Sequence, residues 1–378
     1  MRRRRFLASA VAASALATGA GLRAAANHAE PLHRVFLPGL ANDQPQTATR
    51  TYELGYSFVP PRITFDEVFR TIDEIARIGE YCIIQREVPW TLVLGGVPMA
   101  NIIRDEWDAL VRTIRGKGMK LVVLIDPLDG LDRRREPPEL VAAGRTILDG
   151  EIRAMHEEWV RLVAAAVKPE YFGLASEVNT LAGHGDPVRY GVLRSMINRL
   201  APEVRRLSPQ SQVFVSFQAD DAWFPEIGDG RPIDHYALVK EFDIDAVGLS
   251  SYPYFYHKSS AAIPEDYYRR FTFAAGGLPL IQVEGGWPSV PGPAGNGSPE
   301  SQVAYFRKLF DLLDGVEARL CVLLTYTDLD LASPTWNVPT DRLATLDLFA
   351  HSGIVDAQFR PKPAYATWVE QYRKPLRA

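Results

Sequence analysis

The sequence predicts an α/β protein built as a single (β/α)8 barrel, also called a TIM barrel, and three observations predict it. Strand-like and helix-like segments alternate regularly over about 320 residues. Eight such pairs occur, which is the number that the barrel needs. The strand-like segments are apolar nearly throughout, as parallel strands covered on both faces must be. An open doubly wound sheet is the alternative, but no G-x-G-x-x-G motif follows the first strand.

The predicted strands are short apolar runs, each separated from the next helix by polar or glycine-containing residues. They begin in order at Thr51, Tyr81, Met119, Tyr171, Gln212, Ile244, Leu278 and Ala318.

The predicted helices have apolar residues at helical spacing, and Thr64 is a plausible N-cap of the first, TFDEVFRTIDEIARIG. The others are, in order, RDEWDALVRTIRGKG, GEIRAMHEEWVRLVAAAV, RYGVLRSMINRLAPEVRRL, DHYALVKEF, PEDYYRRFTFAAG, SPESQVAYFRKLFDLLDGV and KPAYATWVEQYRK.

The first 26 residues have the pattern of an export signal and are excluded from the fold. Four arginines follow Met1, a weakly apolar Ala-rich stretch comes next, and small residues occupy Ala24–Ala26. The arginines followed by Phe6 and Leu7 resemble a twin-arginine signal; an ordinary secretory signal and an uncleaved anchor are the alternatives. Residues 27–50 resemble a linker, so we expect one catalytic domain over 51–378, exported to the periplasm, cell surface or medium.

Charge and cysteine content exclude several classes of protein. Signal removal takes five arginines and no acid, so the formal charge falls from −4 to −9, which disfavours nucleic acid binding. No later stretch has the roughly 18–20 apolar residues of a membrane span. Cys82 and Cys321 lie in strand-like runs, and we expect two buried free thiols rather than a disulfide framework or zinc site.

The active site of a (β/α)8 barrel lies at the C-terminal ends of its strands, and many polar or aromatic side chains occur there in this sequence. They are Tyr56, Ser57, Gln85, Arg86, Glu87, Asp126, Asp129, Glu177, Asn179, Gln218, Asp220, Asp221, Ser251, Tyr252, Tyr254, Glu284, Trp287, Tyr326 and Asp328.

Glu177 and Glu284 each interrupt an apolar strand at its C-terminal end, on strands 4 and 7. We expect the two side chains to face each other across the mouth of the barrel. Two facing carboxyls take different roles when their environments differ, one protonated and one ionised. Retaining glycoside hydrolysis uses such a pair at about 5–5.5 Å.

This layout resembles the clan of retaining (β/α)8 glycoside hydrolases that carry an acid/base on strand 4 and a nucleophile on strand 7. The segment SEVN at Ser176–Asn179 resembles the NEIN of endo-β-1,4-galactanases, and SSYPYF at Ser250–Phe255 resembles their S-x-YP segment. VEGGWP at Val283–Pro288 resembles their strand-7 E-T-G-W-P, and GIVDAQFRPKPAYATW resembles the C-terminal tail of many such hydrolases. The resemblance spans Thr51 to Trp368; its motifs are short and identify the clan better than the family.

The resemblance implies roles for individual residues. Glu177 would be the acid/base, Glu284 the nucleophile, Tyr252 the residue that orients it, and Arg86 the cation that keeps it ionised. Asn179 would contact the substrate. Candidate sugar-stacking platforms are Trp90, Trp287 and Trp336. It implies a carbohydrate substrate, no cofactor and no metal, and we expect a monomer.

Three positions depart from the family pattern. Ser176 stands where the clan has an asparagine that binds the sugar 2-hydroxyl, and Tyr326 stands where it has a strand-8 tryptophan. The strand-3 ending LIDPLDG lacks the histidine and aromatic residues of galactanases. We keep Ser176 and Tyr326 as candidate substrate-binding residues, with altered contacts expected at both.

The remaining polar residues at the strand ends carry weaker signals. For Asp126, Asp129, Asp220 and Asp221 we expect structural or solvated roles, because no His or Cys accompanies them at ligand spacing. His184 and His257 fall in loops after strands 4 and 6; either packing or substrate contact fits them.

The sequence therefore predicts a secreted retaining glycoside hydrolase acting on a β-linked, galactan- or glucan-like polysaccharide or oligosaccharide. Two alternatives stay open. One is a barrel that binds carbohydrate but has lost efficient catalysis. The other is a cell-envelope transglycosylase that uses the same two glutamates.

Overall fold

The computed structural model of the protein describes residues 49–183, 186–224, 233–291, 296–336 and 338–377. The predicted export signal, all but the end of the linker, and His184 lie outside these residues. Eight parallel strands pair in sequence order, and β8 pairs with β1 to close a barrel. The predicted (β/α)8 fold is thus confirmed.

The strands begin and end within a few residues of the predicted runs. They are β1 (Glu53–Ser57), β2 (Tyr81–Glu87), β3 (Lys120–Asp126), β4 (Tyr171–Gly173), β5 (Gln212–Gln218), β6 (Ala246–Ser251), β7 (Leu280–Gly285) and β8 (Leu320–Leu323).

The α-helices of the described residues surround the barrel or extend its loops. They are α1 (Phe65–Ile75), α2 (Trp90–Leu94), α3 (Met99–Glu106), α4 (Asp108–Gly116), α5 (Pro138–Ala142), α6 (Gly150–Val167), α7 (Val178–Gly183), α8 (Pro187–Leu207), α9 (Ala219–Trp223), α10 (Arg269–Ala274), α11 (Pro299–Gly315), α12 (Thr340–Asp347) and α13 (Pro363–Arg373).

Local signals account for several helix boundaries. Thr64 caps α1 as predicted, its side chain accepting a hydrogen bond from the Glu67 backbone N–H at 3.3 Å. The single helix predicted after strand 2 is instead two helices, α3 and α4, that meet at the buried Trp107. The short helix predicted in DHYALVKEF is a 3₁₀ turn over Ala237–Glu241.

Alternation along the strands sorts the side chains into two layers. One layer fills the barrel interior and consists of Tyr81, Ile83, Val122, Leu124, Tyr171, Phe214, Ala246, Ile281, Val283, Leu320 and Val322. The other layer lies between the strands and the helices and forms the larger core. Cys82 and Cys321 belong to this outer core as buried free thiols, as predicted.

Arg50 ties the two ends of the domain together. It forms a β-bridge with Leu376, and its side chain pairs with Glu80 and donates to the carbonyl oxygens of Tyr52 and Lys374. The folded unit therefore includes Arg50, which the sequence pattern assigned to the linker. Within the described residues no helix is long and apolar enough to cross a membrane.

Candidate active site

A pocket of about 140 Å³ opens at the C-terminal ends of the strands, where the fold class places an active site. The two predicted carboxyls, Glu177 and Glu284, both line it, together with Tyr252. Its other polar lining residues are Arg133, Gln218 and Thr325. Its apolar side consists of Val59, Leu131, Phe255, Leu324, Leu329, Leu346 and Phe349. The chain thus brings together the residues predicted as acid/base, nucleophile and orienting tyrosine.

Glu177 occupies the turn between β4 and α7 in a left-handed backbone conformation, with φ of 48°. Such a conformation costs a non-glycine residue on the order of 1–3 kcal/mol and persists where the surroundings enforce it. Two hydrogen bonds enforce it here: the Glu177 N–H donates to Ser216 Oγ at 2.9 Å, and the Thr180 N–H donates to the Glu177 carbonyl at 2.9 Å. The strained turn positions the carboxyl at the pocket.

Glu284 reaches the pocket because β7 contains an irregular pairing. Leu249 of β6 pairs with Gln282, but the next residue, Ser250, pairs with Glu284, so Val283 is inserted. Val283 already points into the barrel interior, and strict alternation would turn Glu284 towards the helices. The bulge re-aims the side chain towards the mouth, as bulges beside active sites do.

Tyr252 holds Glu284 from the neighbouring strand end. Its hydroxyl donates a hydrogen bond of 3.0 Å to Glu284 Oε2. Its own backbone N–H donates to Asp220 Oδ2 at 2.7 Å, and the Tyr267 hydroxyl donates to the other oxygen of that carboxylate. Asp220 therefore has the structural role predicted for it, and it fixes Tyr252.

Arg133 is the cation of the site, and the sequence analysis missed it. The loop between β3 and α5 carries it; Nε lies 3.7 Å from Glu177 Oε2 and Nη2 lies 3.8 Å from Glu284 Oε1. Nη2 also lies 3.3 Å from Asp126 Oδ2, and the side chain is only 5% exposed. The available signal was three consecutive arginines, Arg133–Arg135, just after a strand end at the mouth of the barrel.

The two carboxyls have different electrostatic surroundings. Burial raises the pKa of Glu177 to about 8; the positive charge of Arg133 opposes this rise and the negative charge of Glu284 adds to it. Burial also raises the pKa of Glu284, against the charge of Arg133 and hydrogen bonds from Gln85 and Tyr252 that favour its ionised form. Glu177 is thus suited to hold a proton at neutral pH, while hydrogen bonds favour a charge on Glu284.

Arg86 does not take the role predicted for it. Residues Tyr81 and Ile83 of β2 point into the barrel, so Arg86 by alternation points outwards. Its guanidinium lies 3.4 Å from Glu106 of α3 and over the ring of Trp107. The cation beside Glu284 is Arg133 instead.

Ser176 and Asn179 are both occupied by contacts within the protein. The Ser176 hydroxyl donates to Asp126 Oδ2 at 2.9 Å and accepts from Gln85 Nε2 at 3.1 Å. The Asn179 amide donates to the Gln218 carbonyl and accepts from the Gln218 N–H, at 2.9 and 2.7 Å, which joins α7 to the end of β5. Both residues are buried, and neither lines the pocket.

The predicted aromatic platforms are core residues. Trp90 and Trp287 are fully buried, and Trp336 is nearly so and donates to the Pro61 carbonyl. Trp287 stacks on Tyr305 instead of facing the pocket. Tyr326 packs edge-on against Tyr56 in the outer core and does not line the pocket. The residues that line it after β8 are Leu324 and Thr325.

The other acidic residues are held by neighbouring side chains. Asp129 forms a two-point ion pair with Arg342, and Asp221 accepts a hydrogen bond from Thr180. In the described part of the chain no cluster of three or more His, Cys, Asp or Glu side chains is arranged to hold a metal. His257 packs against Phe224 and Tyr267 and does not line the pocket.

Comparison with known proteins shows likeness at the level of structure. The sequence matches no protein-family model and no curated protein. An exo-β-1,4-mannosidase from Opitutaceae bacterium strain TAV5 has a TM-score of 0.61 and 15% identity over 86% of this chain and 60% of its own. The chain thus spans less than two thirds of that mannosidase.

Two further solved structures are similar. One is a glycoside hydrolase family 5 protein from Streptomyces cattleya, solved with Manβ1-4GlcNAc, with a TM-score of 0.62 and 16% identity over 86% of this chain and 82% of its own. The other is xylanase 10B from Thermotoga maritima, with a TM-score of 0.59 and 14% identity over 86% of this chain and 95% of its own. At these identities the likeness shows that this chain shares the (β/α)8 fold of glycoside hydrolases.

Proposed function

We propose that the protein is a retaining β-glycoside hydrolase in which Glu177 is the acid/base and Glu284 the nucleophile. One observation carries the proposal: Glu177, in the turn after β4, and Glu284, near the end of β7, line one pocket. Burial raises the pKa of both, and hydrogen bonds from Gln85 and Tyr252 favour the ionised form of Glu284. That division of roles is what a double-displacement glycosidase requires.

The residues would act in two steps. Glu284 attacks the anomeric carbon to form an ester while the glycosidic C–O bond breaks and Glu177 gives its proton to the leaving oxygen. Glu177, now ionised, takes a proton from water, the water oxygen attacks the anomeric carbon, and the ester bond breaks to return the Glu284 carboxylate. Tyr252 holds Glu284 in its attacking orientation through the 3.0 Å hydrogen bond.

The proposed substrate is a β-linked polysaccharide or oligosaccharide, galactan- or glucan-like, met outside the cytoplasm. The short motifs around Glu177, Tyr252 and Glu284 support this class. The similar structures include proteins described as a mannosidase and a xylanase, which act on β-linked sugars by name. The basic, Ala-rich N-terminus supports export, by the twin-arginine route in our proposal, and we propose that the exported enzyme is a monomer.

A barrel that binds carbohydrate without efficient turnover is the second candidate, and two observations favour it. The Ser176 hydroxyl is committed to Asp126, so it has no proton to donate to a sugar hydroxyl. The tryptophans predicted as sugar platforms are buried in the core. A transglycosylase would use the same two glutamates and differ only in its products.

The test is turnover of a panel of aryl β-glycosides, β-glucans, galactans and mannans by the parent and by Glu284→Gln and Glu177→Ala. We expect both variants to lose activity, azide to restore part of it in Glu177→Ala, and the first product to retain its anomeric configuration. Glu265→Gln, a change at a carboxyl whose side chain is 86% exposed, is the matched control and should be unaffected. Glycan binding without turnover in the parent would establish the binding barrel instead, and larger products would indicate the transglycosylase.

A further inference from the structure

Arg133 lies almost equally close to both carboxyls, through different atoms of one guanidinium. Nε faces Glu177 at 3.7 Å and Nη2 faces Glu284 at 3.8 Å. Neither distance is a hydrogen bond in this state, and the Nε–H is buried with no hydrogen-bond partner among the described residues. A buried unpartnered donor is costly, which indicates that it finds its partner in another state of the site.

The position of Arg133 is fixed by the loop that carries it. Its Nη1 donates to the Asp129 carbonyl at 2.8 Å, and the Asp129 carboxylate is held by Arg342 at 2.7 and 2.9 Å. The Gly130 N–H donates to Glu87 Oε1 at 2.7 Å, which joins the loop to the end of β2. These contacts keep the guanidinium beside both carboxyls.

We propose that Arg133 is the shared counter-ion of the two glutamates, paired with Glu284 in the free enzyme and with Glu177 in the glycosyl-enzyme. This inference rests on the proposed function. In the free enzyme Glu284 carries the negative charge and Glu177 the proton. When Glu284 becomes a neutral ester, Glu177 has given its proton to the leaving oxygen and carries the charge. The pair holds one negative charge in both states, so one cation serves both.

Other charged and polar groups face the same site. Asp126 lies against Arg133, the Asp221 carboxyl lies near Glu177, and the Glu87 carboxyl, whose pKa burial raises well above its usual range, lies near the guanidinium. Gln85 and Tyr252 donate hydrogen bonds to Glu284. Arg133 is the cation of the described residues that contacts both carboxyls, so its removal should disfavour ionisation of both, whereas loss of Tyr252 should act mainly on Glu284.

The test is the pH dependence of both chemical steps in Arg133→Gln and Arg133→Lys. In kcat/KM the acidic limb reports ionisation of Glu284 and the alkaline limb that of Glu177. In Arg133→Gln we expect both limbs to move to higher pH by about one to three units, because an opposite charge at this distance lowers a carboxyl pKa by that much. Arg133→Lys should restore most of both positions.

The glycosyl-enzyme is tested with an activated aryl glycoside, for which hydrolysis of the intermediate limits kcat. The acidic limb of kcat then reports Glu177 in the intermediate, and it should also move to higher pH in Arg133→Gln. Arg135→Gln is the matched control, since Arg135 is 72% exposed on the same loop and pairs with Asp132. Its limbs should coincide with those of the parent.

The outcomes separate the possibilities. If the rate falls but neither limb of the pH profile moves, the inference is overturned and Arg133 has a structural role. If only one limb moves, Arg133 is the counter-ion of one carboxyl alone, and the inference is overturned too. If Arg133→Gln does not fold, Arg342→Met is the second variant, because it keeps Arg133 but removes the ion pair that holds its loop at Asp129. Both limbs should then move to higher pH by a smaller amount. If neither limb moves in this variant, the inference is overturned. A parent without turnover on any β-glycoside would overturn the proposed function, and this inference with it.

Discussion

The Tyr252 hydroxyl donates a hydrogen bond of 3.0 Å to Glu284 Oε2, across the junction between β6 and β7. The bond is charge-assisted when Glu284 is ionised, so it favours the charged carboxylate. Asp220 makes it rigid by accepting the Tyr252 backbone N–H at 2.7 Å. The orientation and the ionisation of Glu284 thus depend on the same tyrosine.

Tyr252→Phe should lower kcat/KM by about 10- to 100-fold, because a hydrogen bond to a charged group contributes about 1.5–3 kcal/mol. The acidic limb of the pH profile should move to higher pH, since the bond that favours ionised Glu284 is lost. Steady-state kinetics across pH measures both effects. Tyr190→Phe on α8 removes a comparable hydrogen bond, from the Tyr190 hydroxyl to Glu241, and should change neither the rate nor the acidic limb. An unmoved acidic limb in Tyr252→Phe would show that its hydrogen bond does not tune the ionisation of Glu284.

The pH profile of the parent should be bell-shaped with its alkaline limb near pH 8. Glycosylation needs Glu177 protonated, and burial raises its pKa to about 8, so kcat/KM should fall as the pH rises through that value. Glu177→Ala with azide and an activated substrate bypasses the acid, so its alkaline limb should disappear. If the alkaline limb persists in Glu177→Ala, it reports the ionisation of a group other than Glu177.

The sequence was sufficient to predict the barrel and to single out the two carboxyls that line its pocket. Apolar runs at regular spacing identified all eight strands, and a carboxylate at the end of such a run identified Glu177 and Glu284. The bulge at Val283 that turns Glu284 to the mouth left no mark in the sequence, because it depends on how β6 and β7 pair. Glu284 stood out because a carboxylate in an apolar strand is energetically costly. The direction in which its side chain points could not be predicted.

Arg86 and the tryptophans show where the sequence was insufficient. The alternation of Tyr81 and Ile83 would have predicted that Arg86 points outwards, but the resemblance to known hydrolases outweighed it. Arg133 lies in a loop without periodicity, so the sequence pattern does not indicate which way its side chain points. A buried tryptophan and an exposed platform look alike in sequence, since both are single aromatic residues near a strand end. The burial of Trp287 and its stacking on Tyr305 become visible only in the fold.

Gly173→Ala tests the packing of the barrel interior. A Cβ at Gly173 would lie 2.2 Å from Leu124 Cδ1 and 2.6 Å from Phe214 Cζ, inside a layer that is already filled. Overpacking of this kind costs about 1–3 kcal/mol in the free energy of unfolding. Gly116→Ala, on α4, meets no atom within 4 Å and should be neutral or stabilising by up to about 1 kcal/mol. Urea unfolding of both variants gives the difference, and equal stabilities would refute the packing argument.

Glu177→Gln should make the protein more stable at alkaline pH while abolishing turnover. The folded-state pKa of Glu177 is raised by burial to about 8, above the roughly 4.3 of an unfolded chain. Its contribution to stability is therefore fully present below about pH 4 and is lost as the pH rises to about 8. Glutamine cannot ionise, so the variant should exceed the parent by about 2–5 kcal/mol in the free energy of unfolding at pH 9, at about 1.4 kcal/mol per unit of difference in pKa.

Near pH 4 the parent and Glu177→Gln should differ little, because both side chains are then neutral. Urea unfolding at pH 4, 7 and 9 measures this trend, and Glu265→Gln, at an exposed carboxyl, should follow the parent at every pH. The left-handed backbone at Glu177, with φ of 48°, remains in both proteins and cancels in the comparison. A gain that is equal at all three pH values would mean that the variant stabilises through packing, and that burial does not hold the proton on Glu177.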